Sequence, residues 1–161
     1  MSIVVDKIWA TLEPLTDPEI PVVTLRELGI LRDVRETADG IEVVITPTYS
    51  GCPAMGQIED DVRASLEQAG IEARVITQLA PAWTTDWMSD EAKEKLRAYG
   101  IAPPGPRHAG DVQPLQFMPR VACPRCGSAE TERLSQFGAT ACKALYRCRS
   151  CREPFEFFKP F

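Results

Sequence analysis

Two Cys-x-x-Cys pairs near the carboxyl end constrain this chain more than any other feature. The first pair is Cys123 and Cys126, the second is Cys148 and Cys151, and residues 127–147 lie between them. Two such pairs at this separation are typical of a tetrahedral four-thiolate metal site, for which zinc is the usual ion. A stretch this short buries too little apolar surface to fold alone, so we expect the metal to close it. The sequence therefore predicts a structural zinc ribbon with no open coordination position.

Other interpretations of the four cysteines stay open at this point. A disulfide pair is disfavoured if the chain is cytoplasmic, whereas iron in a rubredoxin-like site also fits the Cys-Pro-Arg-Cys-Gly sequence of the first pair. We expect Gly127 to supply a left-handed backbone position after that pair. The negative charge of a four-thiolate site would be offset by nearby arginines, namely Arg125, Arg149 and Arg152.

Cys142 is a further cysteine of the same region, and its role has three interpretations. It is a buried thiol, a substitute metal ligand, or a reactive group beside the metal. The neighbouring Lys143 would lower the pKa of a thiol placed next to it, because a cation favours the thiolate.

Charge divides the chain into two unlike parts. Residues 120–161 hold eight Lys and Arg against four Asp and Glu, whereas the preceding residues hold ten against nineteen. A Pro- and Gly-rich stretch between the two parts is typical of a semi-rigid linker. We therefore predict a first domain at 1–100, a linker at 101–119 and a zinc ribbon at 120–161.

The first hundred residues combine helical and strand patterns. Apolar residues at helical spacing predict helices over three ranges: 2–13, 54–69 and 89–99. Alternating apolar and polar residues predict strands over three others: 30–37, 41–46 and 71–79. Asp39-Gly40 predicts a hairpin turn with positive φ at both residues, and the helix between the second and third strands implies parallel pairing. The predicted fold class is α+β, a small three-stranded sheet with helices in the order α-β-β-α-β-α, followed by the four-cysteine module.

Local signals set the ends and faces of these elements. The first helix is expected to bury one face, formed by Ile3, Ile8, Trp9 and Leu12. Thr24 is expected to cap a short helical turn over residues 25–28, and Gly29 to end it. Trp83 and Trp87 are expected to pack over the rim of the sheet, with a partner-binding aromatic lip as the alternative.

The only cysteine of the first part, Cys52, lies in a loop between a strand and a helix. Pro53 suits the first helical position, which would put Cys52 at or next to the N-cap, where the helix dipole favours a thiolate. Asp17 and Glu19 flank a proline in a second rigid loop, and a carboxylate beside a thiolate would suit transient iron or zinc binding. The alternatives are a cysteine packed as a small apolar residue and a solvated or capping acid.

Several function classes are disfavoured. The only histidine, His108, lies in the predicted linker, so no nucleophile–histidine pair is visible and we do not expect the chain itself to be catalytic. Nucleotide-binding glycine motifs are missing, and the net charge of −5 disfavours nucleic-acid binding by overall charge. No apolar run approaches the ~20 residues of a membrane span, and the amino terminus lacks the features of a secretory signal. We expect a cytoplasmic protein that does not enter membranes.

Three segments of the first part together resemble a known family: Asp17-Pro18-Glu19, residues 24–28 and residues 46–53. They resemble the small domain of bacterial SufT-like and eukaryotic cytosolic iron–sulfur assembly proteins. When the first cysteine pair, residues 137–143 and residues 153–155 are added, nearly the whole chain is similar to the PaaD family, also called PaaJ. Members of that family are small accessory subunits of the bacterial phenylacetyl-CoA epoxidase system.

The resemblance implies a role in aerobic phenylacetate catabolism, in which a di-iron monooxygenase works with a separate reductase. It implies that Cys52, together with Asp17, holds iron or an iron–sulfur cluster transiently and helps to assemble or deliver a metal centre. The expected partners are the oxygenase and reductase subunits, and a homodimer is one arrangement that would complete the site.

Three other functions compete with this interpretation. The first is an electron-transfer component with iron in the four-cysteine site. The second is a nucleic-acid-binding zinc ribbon that uses the basic tail and its aromatic residues, namely Phe155, Phe157 and Phe158. The third is an enzyme with Cys52 as nucleophile, for which no base is visible.

Overall fold

A computed structural model describes residues 2–49, 52–105 and 121–160 of the chain. It separates the chain into two units, residues 1–92 and residues 93–161. The first unit contains α1 (Ile3–Leu12), α2 (Leu25–Leu28), β1 (Leu31–Thr37), β2 (Gly40–Ile45), α3 (Met55–Gln68), β3 (Arg74–Thr77) and a 3-10 turn (Thr85–Trp87). Helix α4 (Asp90–Tyr99) contains the boundary, and β4 (Ile101–Ala102), β5 (Thr131–Ser135), β6 (Lys143–Cys148) and β7 (Pro154–Phe158) follow it. No helix within the described ranges has both the length and the apolar character that a bilayer span requires.

The sheet of the first unit has the strand order β1-β2-β3. β1 pairs antiparallel with β2, and β2 pairs in parallel with β3. Helix α3 makes the crossover between the two parallel strands, as the sequence predicts. The α+β class and the order of elements are therefore confirmed, although β3 is shorter than the predicted range 71–79.

The hairpin turn lies one residue earlier than predicted. Thr37 pairs with Gly40, so the two turn residues are Ala38 and Asp39, and Gly40 is the first residue of β2. Of these residues only Gly40 has positive φ, at 121°. The Asp-Gly dipeptide thus predicts the hairpin correctly. Its glycine, however, permits the positive φ of the first residue of β2 and is not the second turn residue.

Strand β2 is buried on both faces, whereas the sequence predicted alternation. Val43, Val44 and Ile45 are each at most 1% exposed. A central strand covered on both sides reads as a continuous apolar run, and these three consecutive residues show that pattern. At the entry to the strand, Glu42 accepts hydrogen bonds from Arg35 at 2.9 Å and from Arg74 at 2.8 Å, which pairs its buried charge across all three strands.

Helix α1 buries Ile8 and Leu12 as predicted, but not Ile3. Ser2 caps it by accepting a hydrogen bond from the backbone N–H of Val4. The buried residues are Val5, Ile8 and Leu12, while Ile3 is 87% exposed. The prediction was wrong for Ile3 because it lies nine residues before Leu12, about 180° around the helix, whereas Val5 continues the buried stripe.

The short helix α2 confirms its predicted ends. Thr24 and Glu27 form a capping box, and Gly29 ends the helix in the left-handed region with φ of 79°. A Cβ on Gly29 would approach Trp87 too closely, so this glycine is required for space as well as for conformation. Trp83 is buried and donates its ring N–H to the Leu28 carbonyl at 2.9 Å, which favours packing over a partner-binding lip.

The sheet of the second unit has the order β4-β7-β6-β5. β6 pairs antiparallel with both β5 and β7, and β4 pairs in parallel with β7. The first two residues of the predicted linker therefore form a strand of this sheet. The predicted ranges 1–100, 101–119 and 120–161 stay predictions, since most of the linker, including His108, lies outside the described residues.

The core of the second unit is aromatic. Tyr146 stacks on Phe155 with ring centroids 5.8 Å apart and meets Phe157 edge-on at 5.6 Å. Phe155, Phe157 and Phe158 are each at most 5% exposed. These rings are the core of the ribbon, so they do not form the aromatic surface that a nucleic-acid-binding ribbon would need.

Candidate metal centre and thiol site

The four cysteines of the two Cys-x-x-Cys pairs meet at one point. Their sulfur atoms all lie within 4.8 Å of one another. The Sγ atoms of Cys123 and Cys151 are 3.8 Å apart, and those of Cys126 and Cys148 are 3.5 Å apart. A tetrahedron with metal–sulfur bonds of ~2.3 Å has edges of about 3.8 Å, whereas a disulfide needs ~2.05 Å. The four sulfurs therefore fit a four-thiolate metal site and are not disulfide-bonded.

Each cysteine pair is followed by a residue with left-handed backbone. After the first pair this residue is Gly127, with φ of 77°, as predicted, and its N–H donates to the Cys123 carbonyl at 2.8 Å. After the second pair the equivalent residue is Arg152, with φ of 65°. A side chain in this region is strained, so the second turn holds a conformation that its sequence disfavours.

The backbone of the second turn also supports the sulfurs. The N–H of Cys151 donates to the Sγ of Cys148 at 3.5 Å, and this bond is the largest of several hydrogen bonds that together lower the pKa of Cys148 to about 6. A backbone hydrogen bond at Glu153 favours the thiolate of Cys151, but burial and the neighbouring sulfurs raise the pKa of Cys151 to about 12. Four thiolates this close need a bound cation, because without one the cluster keeps protons on some sulfurs.

The arginines near the cluster are partly engaged elsewhere. Arg147 and Arg149 both pair with Glu132, and these two arginines lower the pKa of Glu132 through their hydrogen bonds. Arg149 is thus shared with Glu132, and its role in offsetting the thiolate charge stays a prediction. Arg152 lines a surface depression of about 450 Å³ with Cys148 and the Glu132 group, which keeps its positive charge beside the metal site.

Cys142 lies at the opposite end of β6 from the cluster. It precedes the strand, and Cys148 ends it, so the two α-carbons are separated by about 20 Å at ~3.3 Å per residue. Cys142 is 8% exposed, and its Sγ lies 2.9 Å from the Thr140 hydroxyl. The interpretations as a substitute ligand and as a group beside the metal are excluded by this distance.

Lys143 was expected to lie beside the thiol of Cys142, but its ammonium is directed to another partner. Its side chain is buried and its Nζ lies 3.4 Å from the Glu156 carboxylate. A buried ammonium needs such a partner, so Lys143 is directed to β7. A cation near Cys142 is Lys159, whose backbone N–H donates to the Cys142 carbonyl at 3.0 Å. Burial lowers the pKa of Lys159, and the charge of Cys142 opposes this lowering.

Cys52 lies on the loop that joins β2 to α3. The helix begins at Met55 with Ala54 as its N-cap, so Cys52 lies two residues before the cap rather than at it. A turn connects it to the helix, because the Met55 N–H donates to the Cys52 carbonyl at 3.3 Å. Cys52 is partly exposed, and the Thr48 hydroxyl approaches its sulfur at 4.0 Å.

Thr46 begins the same loop and was missed by the sequence analysis. It is 2% exposed, and within the described residues its Oγ1 has no hydrogen-bond partner. A buried hydroxyl of this kind is destabilising by about 1–3 kcal/mol. One sequence signal could have identified Thr46: it follows the carboxyl end of a central strand and directly precedes Pro47.

Asp17 holds its own loop together. Its Oδ1 accepts from the backbone N–H of Glu19 at 2.8 Å and of Ile20 at 3.0 Å, and its N–H donates to the Val23 carbonyl. The carboxylate is therefore a loop cap, as the alternative interpretation expected. Across residues 2–49, 52–105 and 121–160, only the four-cysteine cluster brings three or more potential ligand side chains within reach of one ion, so Asp17 and Cys52 do not belong to a second such group.

Comparison with known proteins agrees with this division of the chain. The PaaD zinc beta ribbon domain matches residues 109–159, and a family described as iron-sulfur cluster assembly protein matches residues 5–77. A protein of Escherichia coli that is named as a subunit of 1,2-phenylacetyl-CoA epoxidase is 50% identical over 96% of this chain and 92% of that protein. The chain belongs to the PaaD family.

Two further relatives of this PaaD-family chain cover its first unit. An Fe-S protein maturation auxiliary factor of Porphyromonas gingivalis is 38% identical over 53% of the chain and 83% of that protein. The crystal structure of a domain of unknown function, DUF59, from Bacillus anthracis superposes with a TM-score of 0.52. It is 33% identical and covers 58% of the chain and 91% of that structure. The PaaD family thus joins a zinc ribbon to a domain similar to iron–sulfur maturation factors.

Proposed function

We propose that this PaaD-family chain is an assembly factor that delivers iron, or an iron–sulfur cluster, to subunits of the phenylacetyl-CoA epoxidase. The carrier group is the thiol of Cys52. The observation that carries the proposal is the position of Cys52, partly exposed on a loop between the central strand and α3. The maturation factors similar to the first unit support the same role.

The incomplete ligand set around Cys52 suits a carrier. A thiolate is a strong ligand for iron, but one sulfur, even with the carboxylate of Asp17, cannot enclose the ion. The remaining ligands must come from the client protein, from a second copy of the chain, or from water. An ion held in this way exchanges readily: Cys52 releases its proton when iron binds and takes up a proton when iron passes to the client.

The zinc ribbon has a separate task in this proposal. Its four sulfurs would hold one zinc ion in a closed site with no position for substrate, so the ion is structural. The ribbon then provides a rigid module for contact with the client, while the first unit carries the cargo.

A second function is favoured by one observation. The sulfur spacing of the four-cysteine cluster suits iron as well as zinc, and a four-thiolate iron would make the chain an electron-transfer component of the same system. Metal analysis separates the two functions. A colourless protein with one zinc per chain excludes electron transfer by this site, and a red protein with iron supports it.

The delivery function is tested by producing the epoxidase subunits together with the wild-type chain or with Cys52→Ser. We expect the purified subunits to lose most of their iron with Cys52→Ser, while the variant keeps its fold and its zinc. Cys142→Ser is the matched control, since Cys142 lies at the far end of β6 from the metal cluster. Full iron content in the epoxidase made with Cys52→Ser would contradict the proposal.

A further inference from the structure

Strand β5 forms the outer edge of the ribbon sheet. The order β4-β7-β6-β5 puts it at the end, and among the described residues its only strand partner is β6. Within the described residues, the side of β5 that faces away from β6 therefore has no strand partner. Such an edge accepts an additional strand from another chain unless the protein covers or blocks it.

The edge carries two exposed apolar side chains. Leu134 is 50% exposed and Phe137 is 57% exposed. The pairing of β5 with β6 shifts register between Arg133 and Ser135, so Leu134 is the extra residue of a β-bulge. Bulges redirect a side chain away from the regular ladder, and this one leaves Leu134 outside the core on the edge strand.

Phe137 is held in place rather than loosely exposed. The Lys159 ammonium lies 4.5 Å from the centre of its ring, and the Lys159 Nζ donates to the Gln136 carbonyl at 2.9 Å. The next residues are fixed as well, because the Ala139 N–H donates to the Glu156 carboxylate at 2.9 Å. Gly138 permits this approach, since a Cβ there would overlap the Glu156 carboxylate. A pre-positioned ring loses little conformational entropy when it binds a partner.

The surroundings of the two apolar side chains are positive. Arg133 is exposed on β5, and in the described residues no carboxylate pairs with either Arg133 or Lys159. The Glu156 carboxylate, which accepts from the Ala139 N–H, is paired with Lys143. Burial lowers the pKa of Lys159; the charge of Cys142 opposes this lowering and the charge of Arg133 adds to it.

We propose that this surface, formed by Arg133, Leu134, Phe137 and Lys159 and named here the β5 edge surface, binds an extended segment of another phenylacetyl-CoA epoxidase subunit. The segment adds to the sheet beside β5, places apolar side chains against Leu134 and Phe137, and presents carboxylates to Arg133 and Lys159. The identity of the partner rests on the proposed function, whereas the surface and its complement rest on the contacts above.

The charge of the chain itself argues against its own linker as the occupant. Residues 106–120 contain Arg107 and Arg120 but only one acidic residue, Asp111, so they do not supply the carboxylates that the β5 edge surface requires. The acid-rich first part of a second copy is the remaining occupant within this chain, and the test below distinguishes it.

The test measures binding of the full-length chain to the purified oxygenase and reductase subunits of the epoxidase by calorimetry. We expect Leu134→Ser combined with Phe137→Ser to weaken binding at least about tenfold, the effect of losing buried anchors. Arg133→Glu is expected to weaken binding and to reduce its dependence on salt. Leu79→Ser is the matched control, because Leu79 is an apolar residue of the first unit that is 67% exposed. Zinc content and circular dichroism verify that each variant is folded.

Two results would overturn the inference. One is wild-type affinity in the Leu134 and Phe137 double variant. The other is a dimeric wild type that becomes monomeric in the double variant without any change in subunit binding, which would assign the surface to a second copy.

The same experiment separates this inference from the delivery function. With iron absent from the binding assay, Cys52→Ser is expected to bind the subunits with wild-type affinity, and it fails only in iron delivery. If Cys52→Ser delivers iron normally while the double variant loses binding, the β5 edge surface stands and the carrier proposal fails. If the double variant binds normally while Cys52→Ser fails in delivery, the reverse holds.

Discussion

The two sulfur sites of this chain differ in how many ligands surround them. In the second unit, four sulfurs converge from two turns whose backbones hold them within 4.8 Å of one another. In the first unit, Cys52 stands on a loop with the Thr48 hydroxyl near its sulfur, outside any group of three or more ligands in the described residues. A complete ligand set retains an ion, whereas an incomplete one releases it to a better site.

The units also differ in what stabilises them. The first unit buries a central strand on both faces, together with apolar stripes of α1 and α3, so its core is formed without a metal. The second unit has a smaller core, and two of the metal-binding sulfurs, those of Cys123 and Cys148, are part of it. We infer that the ribbon depends on its metal and the first unit does not.

The largest expected effect is the loss of the ribbon metal. Cys148→Ser removes a fully buried sulfur, and structural zinc sites supply roughly 10–16 kcal/mol of folding free energy. We expect no tightly bound zinc and the loss of amide-exchange protection across residues 121–160, with protection in α3 and β2 unchanged. Zinc analysis and hydrogen exchange measure both effects. Protection lost equally in the two units would contradict the comparison.

A core substitution in the first unit tests the converse. Ile58 on α3 is 1% exposed, so Ile58→Ala is expected to lower the free energy of unfolding of this unit by about 2–5 kcal/mol. The zinc content should stay that of the wild type. Denaturant unfolding followed by hydrogen exchange in each unit checks this prediction, and a parallel loss of zinc would show that the units do not fold separately.

The smallest expected effects come from substitutions in the two left-handed turns, and the two changes in ribbon stability have opposite signs. Gly127→Ala places a side chain at φ of 77° and should destabilise the ribbon by about 1–2 kcal/mol. Arg152→Gly relieves the strained residue of the other turn and should stabilise it by up to about 1 kcal/mol. Competition for zinc with a chelator measures both variants, and equal signs would mean that backbone conformation does not limit the site.

The sequence predicted those features that short spacing determines. The spacing of Cys123, Cys126, Cys148 and Cys151 predicted one site, and their sulfurs do meet. Gly127 was expected in the left-handed region and has that conformation, and Gly29 was expected to end α2 and does so. In each case the sequence signal and the local conformation that it specifies lie within a few residues of one another. Tertiary packing therefore does not change that conformation.

The features that depend on distant packing were not predicted. The distance between Cys142 and the metal cluster could be inferred only once the bounds of β6 were known. The pairing of Ile101–Ala102 could be inferred only once the position of β7 was known. Local sequence carries none of this information, since each depends on elements that lie far along the chain.

Iron transfer between purified proteins tests the central claim most directly. The full-length chain is loaded with radioactive ferrous iron without oxygen, mixed with iron-free epoxidase oxygenase, and the iron in the separated oxygenase is counted over time. We predict rapid transfer from the wild type and from Cys142→Ser, and transfer from Cys52→Ser no faster than from free iron, with zinc retained in all three proteins. Equal transfer rates for Cys52→Ser and the wild type would contradict the role of Cys52 as carrier.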